Sequence, residues 1–133
     1  MKGFVINIEK ETLANEDFRR VLYTARNCQL VLMSLKPGEE IGMEVHHLDQ
    51  FLRFEGGEGK AILDGIEYSI SDGSAVIVPA GTEHNFINTS ATEDLKLYTI
   101  YAPPEHKDGI VRHTKEEAES NEEHWEGETS EKE

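Results

Sequence analysis

Gly73-Ser74-Ala75-Val76-Ile77-Val78-Pro79-Ala80-Gly81-Thr82-Glu83-His84-Asn85-Phe86-Ile87-Asn88 reads as a strand, a tight turn and a second strand that opens on a histidine. Residues 75–78 are apolar and mostly β-branched, the composition of a pleated, half-buried segment. Pro79 and Gly81 are turn residues, one fixing φ and the other tolerating its positive values. The chain therefore reverses there and aims the His84 side chain back across the sheet.

The second informative stretch is Pro37-Gly38-Glu39-Glu40-Ile41-Gly42-Met43-Glu44-Val45-His46-His47-Leu48-Asp49-Gln50-Phe51-Leu52-Arg53-Phe54-Glu55-Gly56-Gly57. Residues two apart on a strand share a face, so Glu44 and His46 point one way while Val45 and His47 point the other. That parity removes His47 as a ligand. Gln50 follows four residues on, where a turn brings the next strand across. Glu44, His46, Gln50 and His84 together offer two imidazoles, a carboxylate and an amide oxygen. Such a mixed nitrogen and oxygen set suits one divalent transition metal, iron, manganese, nickel or zinc, with positions left for water or substrate. A purely structural reading, in which the four groups hydrogen-bond one another and water, stands beside it.

Working outward, nearly every segment reads as strand or turn. Residues 18–25 and 29–36 are strand-like and end in Asn27 and in Pro37-Gly38. Residues 60–63 and 66–70 flank Asp64-Gly65, a strong hairpin signal. Ser71-Asp72-Gly73 makes another turn, and residues 95–101 form a last strand before Pro103-Pro104. Nine or ten short strands at this spacing predict an antiparallel sandwich or barrel. The only helices expected are one turn within residues 11–20 and a short one near the C-terminus.

The two quoted stretches resemble the paired motifs of the cupin superfamily. The first family motif runs glycine, five residues, histidine, one residue, histidine, three or four residues, glutamate, six residues, glycine. Gly38, Glu44, His46, Gln50 and Gly57 occupy those places. The second motif, with glycine, proline, glycine, histidine and asparagine, is matched throughout by Gly73, Pro79, Gly81, His84 and Asn88. The resemblance implies an all-β antiparallel jelly-roll β-barrel with a metal inside. Glu44 stands where a histidine is usual and Gln50 where the glutamate is usual, so the family's chemistry does not transfer directly. The flanking segments around Tyr23 and Tyr101 are similar to small bacterial cupins likened to mannose-6-phosphate isomerase.

At 133 residues the chain is about one domain. We divide it into a barrel, residues 1–113, and an acidic tail, residues 114–133. The tail carries nine acids against two lysines, contributing -7 of the net charge of -14. Thr114-Lys115-Glu116-Glu117 matches a capping box, predicting a short helix over residues 115–123 in an otherwise solvated segment. Trp125 could dock on the barrel or on a second copy of the chain. The negative charge argues against nucleic acid and anionic membranes as partners. No apolar run approaches a membrane span, and one cysteine, Cys28, read as a small core residue, agrees with the reducing cytoplasm.

Function classes follow from the metal. A metal enzyme on a small oxygenated metabolite, such as a sugar-phosphate isomerase, is the first expectation; an Fe(II) dioxygenase or a non-catalytic metal and small-ligand binding module are the alternatives. Tyr68, Tyr98, Lys36 and Lys96 are strand residues that could move a proton. Arg20, Arg53 and Lys60 could hold a phosphate at the barrel mouth. His106, His113 and His124 read as a solvated surface group. Parity also places Ile41, Met43, Val45, Phe51 and Arg53 on the face away from the metal, which predicts a homodimer covering them.

Overall fold

The computed structural model describes residues 2–131. A short helix, α1 (Ile8–Ala14), precedes nine strands: β1 (Arg19–Thr24), β2 (Gln29–Leu35), β3 (Asp49–Gly56), β4 (Glu58–Leu63), β5 (Ile66–Ser71), β6 (Ala75–Val78), β7 (His84–Asn88), β8 (Leu95–Ala102) and β9 (Val111–Arg112). A second short helix, α2 (Lys115–Ser120), follows. The strands form an antiparallel six-stranded sheet, β6-β3-β8-β2-β1-β9, facing a three-stranded sheet, β5-β4-β7. This is the expected jelly-roll architecture, with the core between the two sheets.

Alternation sets which side chains enter that core. In β8, Leu95, Leu97, Thr99 and Tyr101 are buried while Lys96, Tyr98 and Ile100 are half-exposed. In β3, Gln50, Leu52 and Phe54 take the inward places. The apolar tier holds Leu35, Phe54, Leu95 and Leu97, all at 0% exposure, and the Phe54 ring meets Phe86 of the opposite sheet at 5.8 Å. At the other end of the same strands the register Gln50↔Tyr101↔Gln29↔Thr24 makes a buried polar tier. One end of the barrel is therefore oil and the other is built for polar contacts.

The hairpin between β4 and β5 turns at Asp64 and Gly65, both with positive φ (52° and 80°), as a two-residue loop with right-handed strand twist requires. Helix α1 is capped by Asn7, whose side-chain oxygen accepts from Lys10 N–H at 3.0 Å. Thr114 caps α2 in the same way by accepting from Glu117 N–H at 3.1 Å.

The C-terminal segment is tied to the barrel. Ala118 of α2 is buried in the core cluster. Glu123 pairs with Arg112 at 2.9 Å, and Trp125 N–H donates to the Glu105 carbonyl at 2.9 Å. Ser130 N–H donates to the Thr24 carbonyl at 2.8 Å, while its hydroxyl accepts from Thr24 N–H at 2.9 Å. Most of the acidic side chains stay solvated, Glu123 excepted, and the anchoring combines backbone bonds with the Glu123 and Ser130 side chains.

Cys28 is exposed in the turn between β1 and β2, not in the core. The expected strand begins one residue later, at Gln29, whose buried amide holds the turn.

Candidate metal centre

The segment joining β2 to β3 carries Glu44 and His46 without forming a long strand. Single bridges Glu40↔Ile87 and Glu44↔His84 lay it along β7, so the smaller sheet is extended by this loop. Glu44 and His84 exchange both backbone hydrogen bonds at 2.9 Å. Asn85, which the sequence reading passed over, clamps the loop from the side: its Oδ1 accepts from Gly42 N–H at 2.8 Å and its Nδ2 donates to Glu40 at 3.1 Å. Gly81 N–H donates to the His46 carbonyl at 2.8 Å, so the Pro79 turn holds the other end.

This scaffold brings Glu44, His46 and His84 together, with one candidate ligand atom from each lying within 4.8 Å of the others. His46 Nε2 stands 3.7 Å from Glu44 Oε1, and the two imidazole centroids are 5.1 Å apart. His84 is 1% exposed, and its Nδ1 lies 2.9 Å from the Thr82 carbonyl. A carbonyl can only accept, so Nδ1 carries the proton and Nε2 keeps its lone pair. That Nε2 is buried without a hydrogen-bond partner.

Gln50 is 4% exposed. Its amide nitrogen donates to Thr99 Oγ1 at 3.0 Å, and Thr99 passes its own proton to the Phe51 carbonyl at 2.9 Å. The amide oxygen of Gln50 is the second buried acceptor left without a partner. Two orphaned acceptors inside a barrel are costly unless a cation or a donor meets them. The donor set thus fits a divalent ion.

Electrostatics separate the two histidines. Burial pulls His46 down, but its contact with Glu44 and the Glu44 and Glu105 charges outweigh that and raise it. Burial pushes the Glu44 carboxyl up, and His46, Arg19 and His84 more than reverse it. Burial, aided by the His46 charge, holds His84 below its ordinary value against the Thr82 carbonyl. His84 is therefore the imidazole best kept neutral for coordination.

A cavity of about 620 Å³ opens over this cluster. Arg19, Glu44, His46, Glu105 and His106 are among its walls, and Ala118, Glu119 and Glu122 close one side. Glu105 reaches His46 Nδ1 at 3.5 Å and His124 Nδ1 at 3.1 Å, orienting one imidazole while tying down the tail.

Several expected side chains stand elsewhere. His47 is exposed, as parity required, though it lines the cavity rim. Tyr98 packs beside Phe51 on the outer face, Tyr68 and Lys36 are exposed, and Lys96 pairs with Asp94. Arg20 pairs with Asp17, Arg53 with Glu55 and Lys60 with Glu67. None of these seven lines the cavity. Instead Arg19, paired with the core residue Met33, and Tyr101 of β8, paired with the buried Gln29, face inward.

His113 and His124 are exposed, but His106 is buried. Its backbone N–H donates to Gln29 Oε1 at 2.9 Å and its ring meets Tyr101 edge-on at 5.2 Å. Met43 and Val45 are exposed and Ile41 packs against the core, but all three line the cavity beside Glu44 and His46, not the face away from the metal that parity predicted, because this segment is an irregular loop and not a strand.

Residues 31–101 match the family model described as "Cupin domain". An uncharacterized protein of Bacillus subtilis (strain 168), YrkC, is 48% identical in an alignment that covers 88% of this chain and 66% of that protein. An uncharacterized protein of Acanthamoeba polyphaga mimivirus is 44% identical, over 81% of this chain and 70% of its own length. This chain spans about two thirds of the curated relatives it matches. A crystal structure of a Bacillus halodurans protein, 45% identical, superposes with a TM-score of 0.87 and covers 90% of this chain and 96% of that one. The Schizosaccharomyces pombe Cnp3 cupin domain, 16% identical with a TM-score of 0.61, covers 63% of this chain and 62% of its own and shares the fold alone.

Proposed function

This chain belongs to the cupin domain family, and from that premise we propose that its barrel holds one divalent transition metal on Glu44, His46 and His84, with the Gln50 oxygen as a fourth donor. The observation that carries this reading is the buried, partnerless Nε2 of His84, whose lone pair is fixed inward by the Thr82 carbonyl. The set has no thiolate, which favours iron, manganese, nickel or zinc over softer ions.

The bound ion would polarise an oxygen of a small metabolite in the 620 Å³ cavity. Glu44 and His46 line that cavity, His84 is the buried imidazole beside them, and Glu105 approaches His46 from its other nitrogen. Metal-dependent chemistry on a small oxygenated metabolite, isomerase-like on a sugar phosphate or oxygen-dependent if the metal is Fe(II), is the first reading. A non-catalytic module is the second, favoured because the expected proton-moving residues lie outside the cavity and the Tyr101 phenol is pushed up by burial.

Metal analysis of the purified protein tests the site. We expect about one equivalent in the parent, and its loss in His84→Ala and Glu44→Gln; unchanged content in both variants overturns the assignment. Oxygen uptake assayed beside phosphosugar isomerisation then separates the two enzymatic readings, and silence in both with metal retained points to the binding module.

Two further proposals concern setting. The exposed free thiol of Cys28 supports a reducing compartment such as the cytoplasm. A second copy of the chain covering the exposed Met43 and Val45 is tested by sedimentation, where a monomer unaffected by Val45→Glu would sink it.

A further inference from the structure

We propose that Arg19 makes the cavity selective for a small carboxylate, its guanidinium taking the carboxylate while a neighbouring oxygen of the same molecule reaches the Glu44, His46 and His84 cluster. This rests on reading that cluster as a metal site.

Arg19 opens β1 opposite Met33, a core residue, and antiparallel partners share a face. Val21, two residues on, is 6% exposed, whereas Arg20 between them is turned out to Asp17. An arginine has thus been placed on the inward face of a barrel. It lines the same cavity as Glu44, His46, Glu105 and His106. Its guanidinium carbon stands 5.4 Å from the Phe18 ring centroid, a contact that holds the fork without using its hydrogen-bond donors.

Among the described residues no carboxylate forms an ion pair with Arg19, and its buried Nε has no hydrogen-bond partner. Acids are not scarce in this chain, which has 27. Of the acids lining the cavity, Glu105 is engaged with His46 and His124, Glu123 with Arg112, and Glu44, which feels the Arg19 charge, with His46. Its charge still reaches Glu44, His46, Tyr101 and His106 around the cavity. Arg19 is half-buried and lines the cavity with no carboxylate paired to it, so an anionic ligand entering there is the natural counterpart.

The geometry of guanidinium favours a planar carboxylate, gripped by two parallel N–H donors. Arg19 and Lys115 share the lining with Glu119 and Glu122, a balance that suits a monoanion better than a phosphate dianion.

Cobalt(II)-loaded protein, titrated with lactate and with its neutral analogue lactamide and read by visible absorption, tests the idea. The parent should bind lactate about tenfold or more tighter than lactamide, the scale of one charge-assisted pair. Arg19→Gln should keep its cobalt and lose the preference, and Arg19→Lys should keep part of it. A parent without preference, or an Arg19→Gln protein that retains it, overturns the role of Arg19 and leaves the metal site standing. Should Arg19→Gln fail to fold, the parent and Arg19→Lys titrations decide. Tighter binding of inorganic phosphate than of lactate overturns the carboxylate assignment. A parent that takes up no cobalt overturns the metal reading and this proposal together.

Discussion

Gln50 donates its amide N–H to the hydroxyl of Thr99 at 3.0 Å, and that direction decides which amide atom looks into the barrel. Thr99 has already given its proton to the Phe51 carbonyl, so it can only accept from Gln50. The oxygen of Gln50 is left without a partner, free to meet the proposed metal.

Thr99→Val should therefore weaken metal binding without touching a ligand. Losing an outer hydrogen bond that orients a ligand costs about tenfold or more in affinity. Chelator competition would measure it, and an affinity equal to that of the parent would show that Gln50 does not coordinate. Gln50→Glu, restoring a carboxylate, should tighten binding.

Gly57 fixes the barrel from the opposite end of β3. Its φ is +93°, and an added Cβ would overlap the Asp94 carbonyl oxygen and crowd the Leu95 Cα at 3.0 Å. Both are backbone atoms that cannot swing away. Left-handed strain and overpacking together predict that Gly57→Ala loses about 2–4 kcal/mol. Urea unfolding checks it; a loss below about 1 kcal/mol would mean that the β8 entry relaxes.

His106 and His113 should push stability in opposite directions with pH. Burial, with the charges of Arg19, His46 and His124, holds His106 well below its ordinary 6.5. The unfolded chain then binds the proton first, so stability falls as pH drops below 6.5 toward the folded value. His113 is raised by its hydrogen bond to Asp17 at 2.7 Å. Its contribution is full below 6.5 and fades as pH rises through the folded value. Urea midpoints of metal-free protein from about pH 5 to 8 should show a flatter acid limb in His106→Gln and the loss of an acid-side gain in His113→Gln. Parallel shifts across the whole range would contradict both assignments.

Ser130 closes the tail onto β1. Its hydroxyl accepts from Thr24 N–H and donates to Asp108 Oδ1 at 2.6 Å, and Thr24 is fully buried. Ser130→Ala leaves a buried N–H without its acceptor, a loss of about 1–3 kcal/mol. Amide exchange should show the Trp125 N–H exchanging faster in the variant; an unchanged Trp125 would mean that Glu105 alone holds the segment.

Most of the fold was legible because strand chemistry is local. The Asp64-Gly65 turn, the strands around it and the Thr114 cap were each readable from a few adjacent residues. His84 was legible too, since Pro79 and Gly81 constrain the backbone that aims it. The acidic tail misled in part: most of its acids are as solvated as composition suggests, but Glu123 pairs with Arg112, and Trp125 and Ser130 are held through hydrogen bonds that composition does not register.

By itself the sequence determined the antiparallel barrel and pointed to Glu44, His46 and His84 as candidate donors, because period-two patterning and turn residues act over a few positions. Tertiary structure alone decided that Arg19 and not Arg20 faces the cavity, that Glu105 stands behind His46, and that His106 is buried on Gln29. Each depends on the register and bulges of strands far apart in the chain, where a slip of one residue exchanges the inside of the barrel for the outside.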